Sequence, residues 1–123
     1  MDITLEDLKN VANTVGINIV NVLPNGDMLQ FDPEIDDTRY WDPLYEDDHA
    51  FDLQIRAEVV LRYSKDYIIA YTDKYGFTTT PINIKRNIGD STKAVARYAI
   101  IVAILVRIDE KWNKHMSSSH PKV

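Results

Sequence analysis

The sequence predicts an α+β domain, with three helices packed around a mainly antiparallel sheet of four to five strands in an α–β–α sandwich-like arrangement. Three observations point there. Two β-rich stretches each fold back through a glycine-containing turn, at Asn25-Gly26 and at Tyr75-Gly76. Three other stretches carry apolar residues at helical spacing. The strands come in adjacent pairs, so they pair antiparallel rather than through helical crossovers.

The first helix is expected over about residues 5–15. Thr4 can cap it, Glu6 and Asp7 suit its first turn, and Leu5, Leu8, Ala12 and Val15 define an apolar face. Gly16 is a natural stop, because it tolerates the left-handed conformation that follows a last turn. A hairpin follows, with strands at Ile17–Leu23 and Met28–Asp32 around Pro24-Asn25-Gly26-Asp27. Residues 33–41 read as an acidic loop. Asp42-Pro43 suits a helix start, with Leu44, Phe51 and Ile55 on one face. Residues 57–63 fit either a continued helix or a strand, and the alternation of Val59, Leu61 and Tyr63 favours a strand from about Val59. Tyr67–Thr72 and Phe77–Ile84 make a second hairpin, with Pro81 implying an edge or a bulge. After a break at Asn87-Ile88-Gly89, Asp90 or Ser91 caps a long helix over about 91–113, with Lys93 and Arg97 marking its wet side near the start and Arg107 and Lys111 near the end.

At 123 residues the chain suits one domain, expected over 1–116, with a disordered tail at 117–123. With no cysteine, disulfides, thiolate catalysis and Cys-ligated metal centres are excluded. The start, Met1-Asp2-Ile3-Thr4, has no basic or apolar signal-peptide character. The longest apolar run, Tyr98–Val106, is nine residues, well short of the ~20 a bilayer span needs. These features lead us to expect a cytoplasmic protein with no membrane contact. A pI near 5.0 argues against direct nucleic-acid binding, which needs clustered Lys and Arg.

Charge is very uneven. Ten of the nineteen acids fall between Asp27 and Asp52, opposed only by Arg39, so that stretch carries a net charge of −9. Residues 53–123 hold twelve Lys/Arg against six acids, a net +6. Such a field governs encounter and partner choice more than fold. The candidate partner-binding residues are therefore Asp32, Glu34, Asp36, Asp37, Glu46, Asp47 and Asp48, with Tyr40, Trp41 and Tyr45 as aromatic anchors. For each there is a plainer reading. Acids favour a helix N-terminus or a solubilising loop, and the aromatics can equally pack at the mouth of the second helix.

Two other constellations carry chemistry. Asp48 and Asp52, four apart with His49 between them, could flank a divalent cation, although a solvated acidic face explains them as well. Lys85, Arg86, Lys93 and Arg97 could hold a phosphate at the start of the last helix, but Gly89-Asp90-Ser91-Thr92 only weakly echoes a phosphate loop. No nucleophile, base and orienter occur at a recognisable spacing, so no catalytic residue, metal or cofactor is assigned.

The segment Trp41-Asp42-Pro43-Leu44-Tyr45-Glu46-Asp47-Asp48-His49-Ala50-Phe51-Asp52-Leu53 and the later Gly89-Asp90-Ser91-Thr92-Lys93-Ala94-Val95-Ala96-Arg97-Tyr98-Ala99-Ile100 resemble small phage proteins of the ABA-sandwich domain type. The resemblance covers about residues 3–110. The chain departs from it in its tail and in the Ile/Val-rich run at 100–106. It implies an α–β–α arrangement and a phage origin, and no activity.

The expected function is a phage-encoded, non-enzymatic interaction protein acting in the bacterial host cytoplasm. Its acidic surface would bind, and inhibit or redirect, a basic host protein such as a nucleic-acid-handling defence enzyme. One alternative is a homo-oligomeric phage accessory or structural protein, associating through the apolar C-terminal helix. A further alternative is a divalent-metal-dependent enzyme or ligand-binding domain built on Asp48, His49 and Asp52.

Overall fold

The computed structural model describes residues 2–74, 77–87 and 91–119, with side chains for all of these except residue 77 and residues 112–119. The element order is α1 (Leu5–Thr14), β1 (Ile19–Val22), β2 (Met28–Asp32), β3 (Asp37–Trp41), α2 (Asp47–Ala57), β4 (Val59–Tyr63), β5 (Tyr67–Lys74), β6 (Phe77–Thr78), β7 (Ile82–Lys85) and α3 (Thr92–Ser119). The α+β class holds. The strands form two antiparallel sheets, β1-β2-β3 and β4-β5-β6/β7, and not a single sheet of four to five strands.

Local chemistry explains the first elements. Thr4 and Asp7 close a capping box, each side chain accepting from the other's backbone N–H, at 3.1 and 3.0 Å. Gly16, at φ +81°, ends α1 as its backbone freedom allows. In the β1–β2 turn Asn25 does not take the positive φ that a two-residue Asn-Gly turn needs at both central positions, so the loop is of another type. Gly26 donates to the Leu23 carbonyl and takes φ +92°, and Leu23 donates to Asp27, as in a three-residue loop with a glycine bulge.

The stretch read as an acidic loop contains a strand. Residues 33–36 form a tight turn with Asp36 at φ +51°, and β3 returns along β2 in the register Met28↔Trp41 to Asp32↔Asp37. Four of its five residues are exposed, so it lacks the apolar alternation that reveals a strand.

Helix α2 begins at Asp47, not Asp42. Asp42 instead opens a turn, its carbonyl accepting from Tyr45 and Glu46, and Glu46 precedes the helix without a side-chain cap. Its buried face is Ala50, Leu53 and Ala57, while Phe51 and Ile55 point outward. Glu58, left-handed at φ 53°, ends the helix, and β4 starts at Val59 as expected. Pro81 breaks the outer strand into β6 and β7. Asp73↔Thr78 and Ala70↔Ile82 leave one extra residue on that edge, a bulge.

Helix α3 fills the core. Val95, Ala99, Ile100, Ile101, Val102, Ala103 and Ile104 are all buried, against β5 and β4 on one side and α1 and α2 on the other. Six of the nine residues of the apolar run are thus covered by the chain's own elements, and Tyr98, Leu105 and Val106 are half-buried. Arg107, expected on the wet side, is also buried. Ala94 N–H donates to the Ser91 hydroxyl at 3.4 Å, while Gly89 and Asp90 lie outside the described residues. The helix runs to Ser119, and residues 120–123 of the expected tail lie outside the described residues. The main sheet alternates cleanly. Ile68, Ala70 and Thr72 face α3, whereas the other face, with Arg62, Tyr67, Asn83 and Lys85 exposed, carries no helix layer among the described residues.

Candidate functional site

The acidic segment is not one surface. The register of the β2–β3 hairpin sends its two ends in opposite directions, about 15 Å apart over a five-residue strand. At the tip lie Asp32, Glu34, Asp36 and Asp37. At the other end, where Met28 pairs with Trp41, lie Asp27, Asp42 and Glu46. The remaining acids belong to α2.

These α2 acids are largely engaged. Asp47 pairs with Arg97 and, at 3.8 Å, with Lys93. Asp52 pairs with Arg56 at 2.8 Å one turn along. Asp48 is exposed and forms no ion pair among the described residues. At the tip, Asp32 is nearly buried against Arg39 at 3.2 Å and is withdrawn from any docking surface. Glu34, Asp36 and Asp37 stay exposed around an exposed Ile35.

The base of the hairpin forms an open groove of about 610 Å3. Its wall is built by the β1–β2 turn (Asn25, Gly26, Asp27), the end of β3 (Tyr40, Trp41), the turn Asp42–Glu46 and His49 of α2, with Leu8 of α1. Tyr40 and Tyr45 are 59% and 76% exposed, too much surface for core residues of their size. Trp41 is only 2% exposed, so it is a core residue beside the groove and not a surface anchor. Its position at the end of β3, facing inward with Met28, buries it.

His49 is committed to structure. Its Nδ1 accepts from the Asp42 backbone N–H at 2.8 Å, which places any ring proton of the neutral imidazole on Nε2. With His49 turned to the backbone and Asp52 held by Arg56, the Asp48, His49 and Asp52 combination is not assembled as a cation site. No three His, Asp or Glu side chains among the described residues are grouped to hold a metal ion.

Three of the four basic residues suggested for phosphate are engaged elsewhere, while Lys85 stays exposed and forms no ion pair among the described residues. Arg86 donates to the Ser64 carbonyl at 2.9 Å and the Thr92 hydroxyl at 2.7 Å, while Arg97 and Lys93 face Asp47. No helix among the described residues is long and apolar enough to cross a membrane.

What remains is a concave surface with two exposed phenol rings and three carboxylates, Asp27, Asp42 and Glu46. None of the three forms an ion pair among the described residues. Sequence reading identified Tyr40, Tyr45 and Glu46. It did not single out Asp27 and Asp42 as groove residues, because only the tertiary closure of the first turn onto the 42–46 turn joins them. Comparison of the chain with protein-family models, with curated proteins and with solved structures gave no match.

Proposed function

We propose that this chain is a non-enzymatic interaction protein that captures a cationic side chain of a partner protein in the groove between the first hairpin and the start of α2. The observation that carries this reading is the pairing of exposed Tyr40 and Tyr45 with unneutralised Asp27, Asp42 and Glu46. A guanidinium offers flat faces to the tyrosine rings and N–H donors to the carboxylates. Each ring contact contributes about 0.5–1 kcal/mol at an exposed site, and charge steering speeds encounter.

In this proposal the partner is a basic protein. On the resemblance to small phage proteins read from the sequence, we take that partner to be a host protein, such as a nucleic-acid-handling defence enzyme whose Lys/Arg-lined site the groove blocks or redirects. The test is calorimetric titration with an octa-arginine peptide at low salt. Saturable binding is expected, weakened at least tenfold by Tyr45→Ala combined with Glu46→Lys. The reading fails if no binding occurs or if the variant binds as tightly as the parent.

A further inference from the structure

The open face of the β4-β5-β7 sheet is a second patch, separate from the groove. The register lays it out in rows: Tyr67 beside Lys85, Ile69 between Arg62 and Asn83, and Tyr71 beside Val60. Val60, Ile69 and Tyr71 are half-buried under one another and form an apolar centre. Arg62 and Lys85 are exposed on either side of it and form no ion pair among the described residues. The patch is about 10 Å across three strands and about 13 Å from Tyr67 to Tyr71.

The complement of this surface is present on the same chain. The β2–β3 tip presents Ile35, 57% exposed, with exposed Pro33 in the same turn and the exposed carboxylates Glu34, Asp36 and Asp37 around it. The tip is held in shape by the left-handed Asp36 and by the Glu34 N–H, which donates to Asp32 at 3.0 Å. An apolar knob with an anionic rim matches an apolar centre with a cationic rim.

We propose that copies of this chain associate head to tail, the β2–β3 tip of one docking on the open sheet face of the next. Because the two patches differ, the interface is heterologous and does not close on itself at two copies. Single-stranded nucleic acid would also present stacking faces and negative charge to Tyr67, Tyr71, Arg62 and Lys85. Two unpaired cations on a chain of net charge −5 favour it less than a local carboxylate-rimmed knob does. A contact of this size sits at the weak end of specific interfaces.

Sedimentation velocity of the full chain tests this at concentrations up to about 0.5 mM, suited to weak association. Wild type is expected to grow in mass with concentration and to dissociate as salt rises from about 0.05 to 0.5 M. The tip variant Glu34→Lys/Asp37→Lys and the face variant Arg62→Glu/Lys85→Glu are each expected to stay monomeric. Both should keep the parent circular dichroism, since all four side chains are exposed. Mixed in equal amounts, they are expected to give a 1:1 dimer that grows no further, one copy supplying the intact face and the other the intact tip. A monomeric wild type, a mixture that stays monomeric, or assembly retained by both variants overturns the proposal. So does a monomeric wild type that binds a fluorescein-labelled single-stranded oligonucleotide through Arg62 and Lys85. Groove variants at Tyr45 and Glu46 leave assembly unchanged, so failure here is distinguishable from failure of the groove reading.

Discussion

Arg97 of α3 donates through Nε to the Leu44 carbonyl at 2.8 Å and pairs through Nη1 with the Asp47 carboxylate, tying the turn before α2 and its first residue to the core helix. The Arg97 side chain is 16% exposed, against 53% for Asp47. The two ends therefore differ in worth. Arg97→Met should cost about 1.5–3 kcal/mol, because a shielded charge-assisted bond is lost and the Leu44 carbonyl is orphaned. Asp47→Asn should cost no more than about 1 kcal/mol, as exposed ion pairs do. Urea denaturation of the two variants checks the order; equal costs would contradict it.

Thr79 sits at the bulge between β6 and β7, fully buried, and its hydroxyl accepts from the Thr72 N–H at 2.9 Å. Thr79→Val keeps the shape and removes the acceptor. It should destabilise by about 1–3 kcal/mol, the cost of a buried N–H left without a partner. Thr79→Ser should recover most of that loss in the same denaturation assay.

Arg107 is 9% exposed, its Nη1 lacks a hydrogen-bond partner among the described residues, and no carboxylate pairs with it there. Burial of a guanidinium without compensation is unfavourable. Arg107→Met, of similar length, should raise stability by about 1–2 kcal/mol. A fall in the denaturation midpoint would show that Arg107 has a compensating contact.

Glu58 holds a left-handed conformation between α2 and β4. A side chain there costs about 1 kcal/mol that glycine avoids. Glu58→Gly should therefore stabilise by about 0.5–1 kcal/mol in thermal unfolding, despite the greater freedom glycine gives the unfolded chain.

Trp41 is buried with its indole nitrogen unpartnered among the described residues. Trp41→Phe should cost less than about 2 kcal/mol, since no hydrogen bond is lost. Trp41→Ala should cost about 3–5 kcal/mol through the cavity it leaves. The loss on Trp41→Ala would not arise from a surface anchor.

Elements fixed by short-range chemistry were legible in the sequence. The Thr4 cap, Gly16, the first hairpin, the strand from Val59 and the break at Pro81 each rest on residues a few positions apart. What long-range packing decides was not. Strand β3 is recognisable only once β2 lies beside it. The buried face of α2 is chosen by α3, which takes Ala50 and Leu53 and leaves Phe51 and Ile55 outside. Composition located the crowded acids. It could not show that hairpin geometry would divide them, nor that Arg97, Arg56 and Arg39 would neutralise three of them.

The position of α3 governs how the chain reaches its native state. Until residues 95–104 have been made, the inner face of the β4-β5-β7 sheet and the buried sides of α1 and α2 lack their main helical packing partner. Strand pairing within each hairpin can form early, but α1 and β5 gain their main packing partner only late in synthesis. A ribosome stalled near residue 90 would hold a sticky, protease-sensitive nascent chain, and collapse should follow abruptly once the last helix clears the exit tunnel.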